Sequence, residues 1–137
     1  MKNKTFLMVM LALLWSTCKE EEFTIRFLNQ IQLIQPDEGA LMDNACMTTA
    51  DPLVWEFQWG MPFGADQYEL YVIANNATEP LIDYILYEPY YYYYCDTCYI
   101  SNANKNWKWK VRAMINGIWQ PWSEERNFIV EDLDTDC

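Results

Sequence analysis

The sequence contains no histidine, only four glycines, and only nine lysine and arginine residues among its 137 residues. The absence of histidine excludes Ser-His-Asp and Cys-His nucleophile systems and every His-ligated metal site. The 20 aspartate and glutamate residues give a formal net charge of −11. So acidic a chain cannot neutralise a run of phosphates, which argues against nucleic acid as a partner.

The chain is rich in aromatic residues instead, with ten tyrosines and seven tryptophans. Such a composition can bury a core and excludes intrinsic disorder as the main state, and the length allows one folded domain. The acidic residues are scattered through loops and through a C-terminal tail at 132–137, whereas acid–base catalysis needs ionisable groups that converge in a cleft. We therefore expect no enzyme, no metal site and no cofactor.

Residues 1–17 have the pattern of a secretory signal peptide, since two lysines precede an uncharged apolar run. That run is too short for a membrane span, which needs roughly 20 residues. The segment that follows resembles the lipobox and export tag of surface lipoproteins of the Bacteroidetes. The resemblance implies acylation of Cys18, a lipidated tether at 18–30, and a surface-exposed position on the outer membrane, with membrane contact through the lipid only. The tag residues are Lys19, Glu20 and Glu21. Simple cleavage that leaves a free thiol stays open as the alternative.

From residue 31 onward, short runs of alternating apolar and polar residues are separated by turn residues, as in antiparallel strands. The dipeptide Asn116-Gly117 favours a tight hairpin. About seven such runs in roughly 100 residues predict an all-β, immunoglobulin-like antiparallel sandwich. The alternation places one set of residues in the core and three cations on the outer face. The core set is Trp59, Tyr68, Trp109 and Val111, and the cations are Lys108, Lys110 and Arg112.

The chain resembles a fibronectin type III domain over residues 31–131. The segments that carry the resemblance are 57–59, 64–72, 106–113 and 116–123, with Phe128. Trp107 stands where the family usually has a corner tyrosine. The resemblance implies a non-catalytic binding or adhesion module at the cell surface, with an unidentified protein or glycan as partner. The alternative is a carbohydrate-binding accessory lipoprotein of a glycan-uptake system.

Four cysteines follow the tether, namely Cys46, Cys95, Cys98 and Cys137. In the resembling fold all four fall at the pole opposite the N-terminus, and an extracytoplasmic milieu favours disulfides. We expect Cys46 to pair with Cys98 and Cys95 with Cys137, or the swap of these partners. A direct Cys95–Cys98 bond would close a tight loop. A four-thiolate zinc site is the rival hypothesis.

Two aromatic segments are candidates for recognition. Trp119 and Trp122 resemble the tryptophans of the Trp-Ser-x-Trp-Ser element in cytokine-receptor fibronectin domains, where the indoles interleave with cations of the next strand. We expect such a stabilising ladder here, and an exposed binding surface is the alternative. Among the tyrosines at 90–94, Tyr91 and Tyr93 are the candidate binding residues, although tyrosine also simply favours strands.

Overall fold

The computed structural model describes residues 30–46 and 52–133. The predicted signal peptide, Cys18 with the tag Lys19, Glu20 and Glu21, most of the tether, and Cys137 all lie outside these residues. Within the two described ranges, no helix is both long and apolar enough to cross a membrane. The compact unit that carries the strands begins at Ile31.

Nine strands form in the described residues, together with one short 3-10 turn at Asn102–Asn104. They are β1 (Leu33–Gln35), β2 (Ala40–Met42), β3 (Leu53–Trp59), β4 (Ala65–Ala74), β5 (Ile82–Leu86), β6 (Tyr90–Cys95), β7 (Asn106–Ile115), β8 (Ile118–Trp119) and β9 (Arg126–Val130). The structure has more strands than the seven or so predicted. Two of the extra strands, β2 and β8, have too few residues to show an alternation in the sequence.

The strands form two sheets. One has three strands in the order β1-β3-β6, and the other has the order β2-β9-β7-β4-β5, with β8 paired to β7. All pairs are antiparallel except β2 with β9, which run parallel. The predicted fold class, an all-β immunoglobulin-like sandwich of the fibronectin type III kind, is confirmed.

The core lies between the sheets and is built from the inward-facing residues of β3, β4, β7 and β9. The four residues predicted as core, Trp59, Tyr68, Trp109 and Val111, are each at most 1% exposed. The rings of Trp59 and Tyr68 meet edge to face, with centroids 5.6 Å apart. Lys108, Lys110 and Arg112, which alternate with Trp109 and Val111 along β7, face outward. The predicted register is therefore confirmed. A slip by one residue would place these cations inside.

Trp107 departs from the corner tyrosine of the resembling family in its hydrogen bonding as well as in its identity. Its indole is 6% exposed and stacks against Phe128. The indole N–H has no hydrogen-bond partner among the described residues. Among the described residues, ring contacts rather than a hydrogen bond therefore hold this indole in place.

The hairpin predicted at Asn116 and Gly117 is present. Both residues have positive φ angles, 53° and 75°, which is the requirement of the tight turn that matches the twist of paired strands. Ile115 and Ile118 face each other across it as the first pair of β7 and β8.

The predicted disulfide pairing is wrong, in both of its versions. Cys95 ends β6 and the chain bends at the next two residues, which brings Cys98 back to a Cα–Cα distance of 5.5 Å. That distance is usual for a disulfide, and the two cysteines are bonded to each other. Their sulfurs are thereby used, so the four-thiolate zinc site is excluded too. Cys46 is also disulfide-bonded.

Cys95 and Cys98 lie at one end of the three-stranded sheet, and their position relative to residues 1–29 stays a prediction. Cys95 stands opposite Leu53 at one end of β3, whereas Ile31 enters beside Trp59 at the other end, since the Gly60 N–H donates to the Gln32 carbonyl at 2.7 Å. Asn44 holds the cysteine end together. Its Oδ1 accepts the Ile100 N–H at 2.9 Å, and its Nδ2 donates to the carbonyls of Ile100 and Glu131.

Candidate functional site

The tyrosines of β6 divide between the two faces of the three-stranded sheet. Tyr91 and Tyr93 stand opposite Phe57 and Trp55, which are fully buried. Because paired residues share a face of a sheet, these two tyrosines pack against the core. Burial raises the pKa of both phenols above the usual value. The two residues predicted as binding candidates are therefore the inward pair, since an alternating run of identical residues does not reveal which set faces inward.

The solvent-facing set is Tyr90, Tyr92 and Tyr94, which are 44%, 52% and 59% exposed. We call these three residues, with the neighbouring Val54 and Glu56 of β3, the tyrosine face. Val54 stands opposite Tyr94 and Glu56 opposite Tyr92. The face is thus an aromatic strip along β6 with a single carboxylate beside it.

The rings of the tyrosine face are held in place by polar contacts. The Tyr92 hydroxyl donates to the Glu56 carboxylate at 2.9 Å, and the Tyr94 hydroxyl donates to Asp96 at 2.6 Å. These hydrogen bonds raise the pKa of both phenols, because the adjacent carboxylate favours the protonated form. The rings of Tyr90 and Tyr92 meet at 63° with centroids 5.9 Å apart. The strip is therefore ordered but not flat.

The tryptophan segment forms the expected ladder on the outer face of the other sheet. The guanidinium carbon of Arg112 lies 4.9 Å from the centroid of Trp119 and 4.6 Å from that of Trp122. The Lys110 ammonium lies 5.1 Å from Trp122 and 5.4 Å from Tyr71. Rings and cations thus alternate in the order Trp119, Arg112, Trp122, Lys110 and Tyr71, and the predicted cation–π ladder is confirmed.

The backbone fixes this ladder in position. Beyond the hairpin the chain continues alongside β7, where the Gln120 N–H donates to the Ala113 carbonyl and the Ser123 N–H to that of Val111, both at 2.8 Å. The Ser123 hydroxyl accepts the Val111 N–H at 3.1 Å. The indoles are thereby laid over the cations of β7. Two cations lie over Trp122 and one lies over Trp119, so less ring surface is available to an external sugar or protein.

The positive charges of the described residues are confined to one region of the fold. The sequence has no lysine or arginine from residue 27 to residue 104. The cations that follow lie on or beside β7 and β9, and each contacts a carboxylate or an aromatic ring. They are Lys105, Lys108, Lys110, Arg112 and Arg126. The tyrosine face, by contrast, has one carboxylate, Glu56, and no cation. The absence of lysine and arginine from 27 to 104 is visible in the sequence. That it leaves the tyrosine face without a cation becomes clear only when the neighbouring strands are known.

No other chemistry is evident in the part of the chain that the structure describes. Within residues 30–46 and 52–133, no three cysteine, aspartate or glutamate residues form a group that would hold a metal ion. The acidic residues beside Arg126 are matched internally, since Glu38 receives hydrogen bonds from Asn127 and Glu124 pairs with the guanidinium. The tyrosine face is therefore the candidate site.

Comparisons with known proteins found only distant similarity. No protein-family model matches the chain, and no curated protein does. Similar solved structures include an Fn3-like protein from Clostridium thermocellum, at 16% identity over 71% of this chain and 91% of that one, with a TM-score of 0.45. Another is a fibronectin type III domain derived from human KIAA0970 protein, at 16% identity over 87% of this chain and 85% of that one, with a TM-score of 0.48. The fold assignment therefore rests on the strand order.

Proposed function

We propose that this protein is a non-catalytic binding module that contacts another protein through the tyrosine face. One observation carries the proposal. Three half-exposed tyrosines stand in a row on one strand, and two of their hydroxyls are fixed by carboxylates of the same domain. Tyrosine offers a large amphipathic contact area, and rings that are already ordered lose little entropy when a partner binds.

A protein partner fits this face better than a glycan. Stacking on successive sugar rings favours aromatic rings that lie side by side in one plane, whereas Tyr90 and Tyr92 are inclined at 63°. The hydroxyls of Tyr92 and Tyr94 already donate to Glu56 and Asp96, so they are less available to sugar hydroxyls. The carbohydrate-binding accessory function remains the second candidate.

We also propose that the module is displayed at the outer cell surface by a lipid on Cys18. The support comes from the sequence alone: a basic N-terminus, a short apolar run, and the acidic tag at 19–21. Stable anchoring needs two or more acyl chains, because a single chain binds membranes only marginally. Surface display would bring the tyrosine face within reach of extracellular partners, as an adhesion function requires.

The test compares two triple variants of the full-length chain, purified in detergent, on a glycan array and on a phage-displayed library of linear peptides. The first variant replaces the three tyrosines of the tyrosine face with serine. The control replaces three tyrosines that are at least half exposed and do not belong to β6, namely Tyr84, Tyr87 and Tyr99. Urea unfolding establishes that both variants remain folded.

We expect the wild type and the control to enrich the same peptides, and the first variant to lose them. Equal retention by all three proteins would place the binding surface elsewhere and overturn the proposal. Binding to glycans alone, with loss only in the first variant, would instead support the carbohydrate-binding function.

A further inference from the structure

The tyrosine face lies on a strand with an open edge. Among the described strands, β6 pairs with β3 and with no other, so it forms one border of the three-stranded sheet. The border strands of a sheet carry backbone groups that a further strand can pair with. What β6 offers along this border depends on which of its residues direct their N–H and C=O groups outward.

The outward-directed residues of β6 follow from which pairs of residues in β3 and β6 are hydrogen-bonded to each other. The Trp59 N–H donates to the Pro89 carbonyl at 3.0 Å, and these two residues continue the register of the β3–β6 pair. In an antiparallel ladder, hydrogen-bonded and non-hydrogen-bonded pairs alternate. Tyr91 and Tyr93 therefore direct their backbone groups toward β3. The backbone groups of Tyr90, Tyr92 and Tyr94 point toward the open edge.

The same three residues thus present both their rings and their backbone groups to a partner. No hydrogen bond to these outward backbone groups is found within residues 30–46 and 52–133. We propose that an extended segment of the partner protein adds to β6 as a new strand, and that this segment carries lysine or arginine on the side that faces the tyrosines. The inference rests on the proposed function and specifies how the partner is bound.

The charge of the partner segment follows from the surroundings of the edge. Glu56 lies on the tyrosine face, and Glu88 and Asp96 flank the two ends of β6. No lysine or arginine occurs on β3 or β6. The cations of the described residues already contact carboxylates or rings near β7 and β9. The negative charge beside β6 is therefore uncompensated, and cations also bind favourably over tyrosine rings.

A second copy of this chain would fit the edge less well. Antiparallel pairing of two β6 strands about a two-fold axis would bring Glu56, Glu88 and Asp96 of both copies to one interface. Carboxylates of like sign placed close together are unfavourable, and neither copy would supply a cation from its β3 or β6. A cationic segment from another protein meets the charge requirement, and a second copy does not.

The experiment uses an octapeptide of alternating lysine and threonine with the full-length chain. Two matched peptides serve as controls: one has glutamate in place of lysine, and the other keeps lysine but carries N-methyl groups on alternate backbone nitrogens. Affinity is measured by titration calorimetry. Amide hydrogen exchange then reports directly on the edge, because strand addition should protect the amides of Tyr92 and Tyr94, whereas those of Tyr91 and Tyr93 are already paired.

We expect the lysine peptide to bind at least about tenfold more tightly than either control and to slow exchange at the outward amides. Tyr92→Pro removes one outward N–H, which an edge strand tolerates, and should weaken binding beyond the loss caused by Tyr92→Thr. Should the proline variant unfold, the N-methylated peptide still tests the backbone contact.

Several results would overturn the inference. Equal affinity for the N-methylated peptide would exclude strand addition, and equal affinity for the glutamate peptide would exclude the charge preference. Absence of binding by the lysine peptide would exclude both. A dimer in sedimentation that dissociates in Tyr92→Pro would make a second copy the occupant. The serine triple variant tests the proposed function independently, so library binding that depends on the tyrosine face would survive failure of the strand mechanism.

Discussion

Arg112 should contribute more to stability than any other cation on the outer face of β7. It lies between two indole rings, and it stands directly opposite Glu69 on β4. Its Nε donates to the Glu69 carboxylate at 2.6 Å. The two side chains are 30% and 16% exposed, so the pair is partly shielded from water. Replacement by alanine therefore removes two kinds of contact at once.

The expected cost can be worked from these contacts. Each cation–π contact contributes about 0.5–1 kcal/mol near the surface, and a hydrogen bond to a charged group contributes about 1.5–3 kcal/mol. The entropy of ordering a long side chain and the remaining exposure reduce the sum. We expect Arg112→Ala to lower the free energy of unfolding by about 2–3 kcal/mol.

Lys108→Ala is the matched control, since it removes a cation from the same face of the same strand. Its partner Glu125 and the lysine itself are 42% and 39% exposed, and exposed ion pairs contribute about 0–1 kcal/mol. The measurement is urea unfolding followed by tryptophan fluorescence. A double-mutant cycle of Arg112→Ala with Glu69→Ala should give a coupling energy of about 1–2 kcal/mol. If Arg112→Ala costs no more than Lys108→Ala, the ladder does not stabilise the fold and the reasoning fails.

Three further predictions concern the core, the short disulfide and the anchor. Trp109→Ala should cost about 3–5 kcal/mol by leaving a cavity, and a loss below 1 kcal/mol in urea unfolding would contradict its place in the core. Non-reducing peptide mapping should recover Cys95 joined to Cys98, and replacing both with serine should cost about 2 kcal/mol, because the loop they close is short. Labelled fatty acid should be incorporated into the wild type but not into Cys18→Ala, and equal labelling of both would exclude lipidation at that residue. Alanine at 19–21 should leave the labelling unchanged and reduce the digestion of the protein on intact cells by added protease.

The fold was predictable because its signals are local. The alternation along β3 and β7 fixes which residues face the core, and a slip in register would bury Lys108, Lys110 and Arg112. The Asn116-Gly117 turn fixes the hairpin, which in turn places Trp119 beside Arg112. Each of these features depends on residues close in sequence or on strict alternation.

The orientation of the tyrosines and the pairing of the cysteines were not predictable, because the local sequence pattern does not encode them. In a run of five tyrosines, either alternate set can face inward, and only pairing with Phe57 and Trp55 selects Tyr91 and Tyr93. The Cys95–Cys98 bond depends on where β6 ends and how the next residues bend, and strand ends are the least certain part of a sequence-based prediction. The open edge of β6 likewise depends on sheet order, which no single strand encodes.

The confinement of cations to the β7–β9 region gives the domain an electrical polarity. Positive groups, though paired, lie on one sheet, whereas the border formed by β6 carries unpaired negative charge. A domain with such a dipole does not approach a charged surface in random orientation. Near an anionic surface, the less negative ladder side would be repelled less than the β6 border, and the border would face the bulk solution. This preference falls off within a Debye length, about 8 Å at physiological ionic strength. At close range it would leave the tyrosines facing outward.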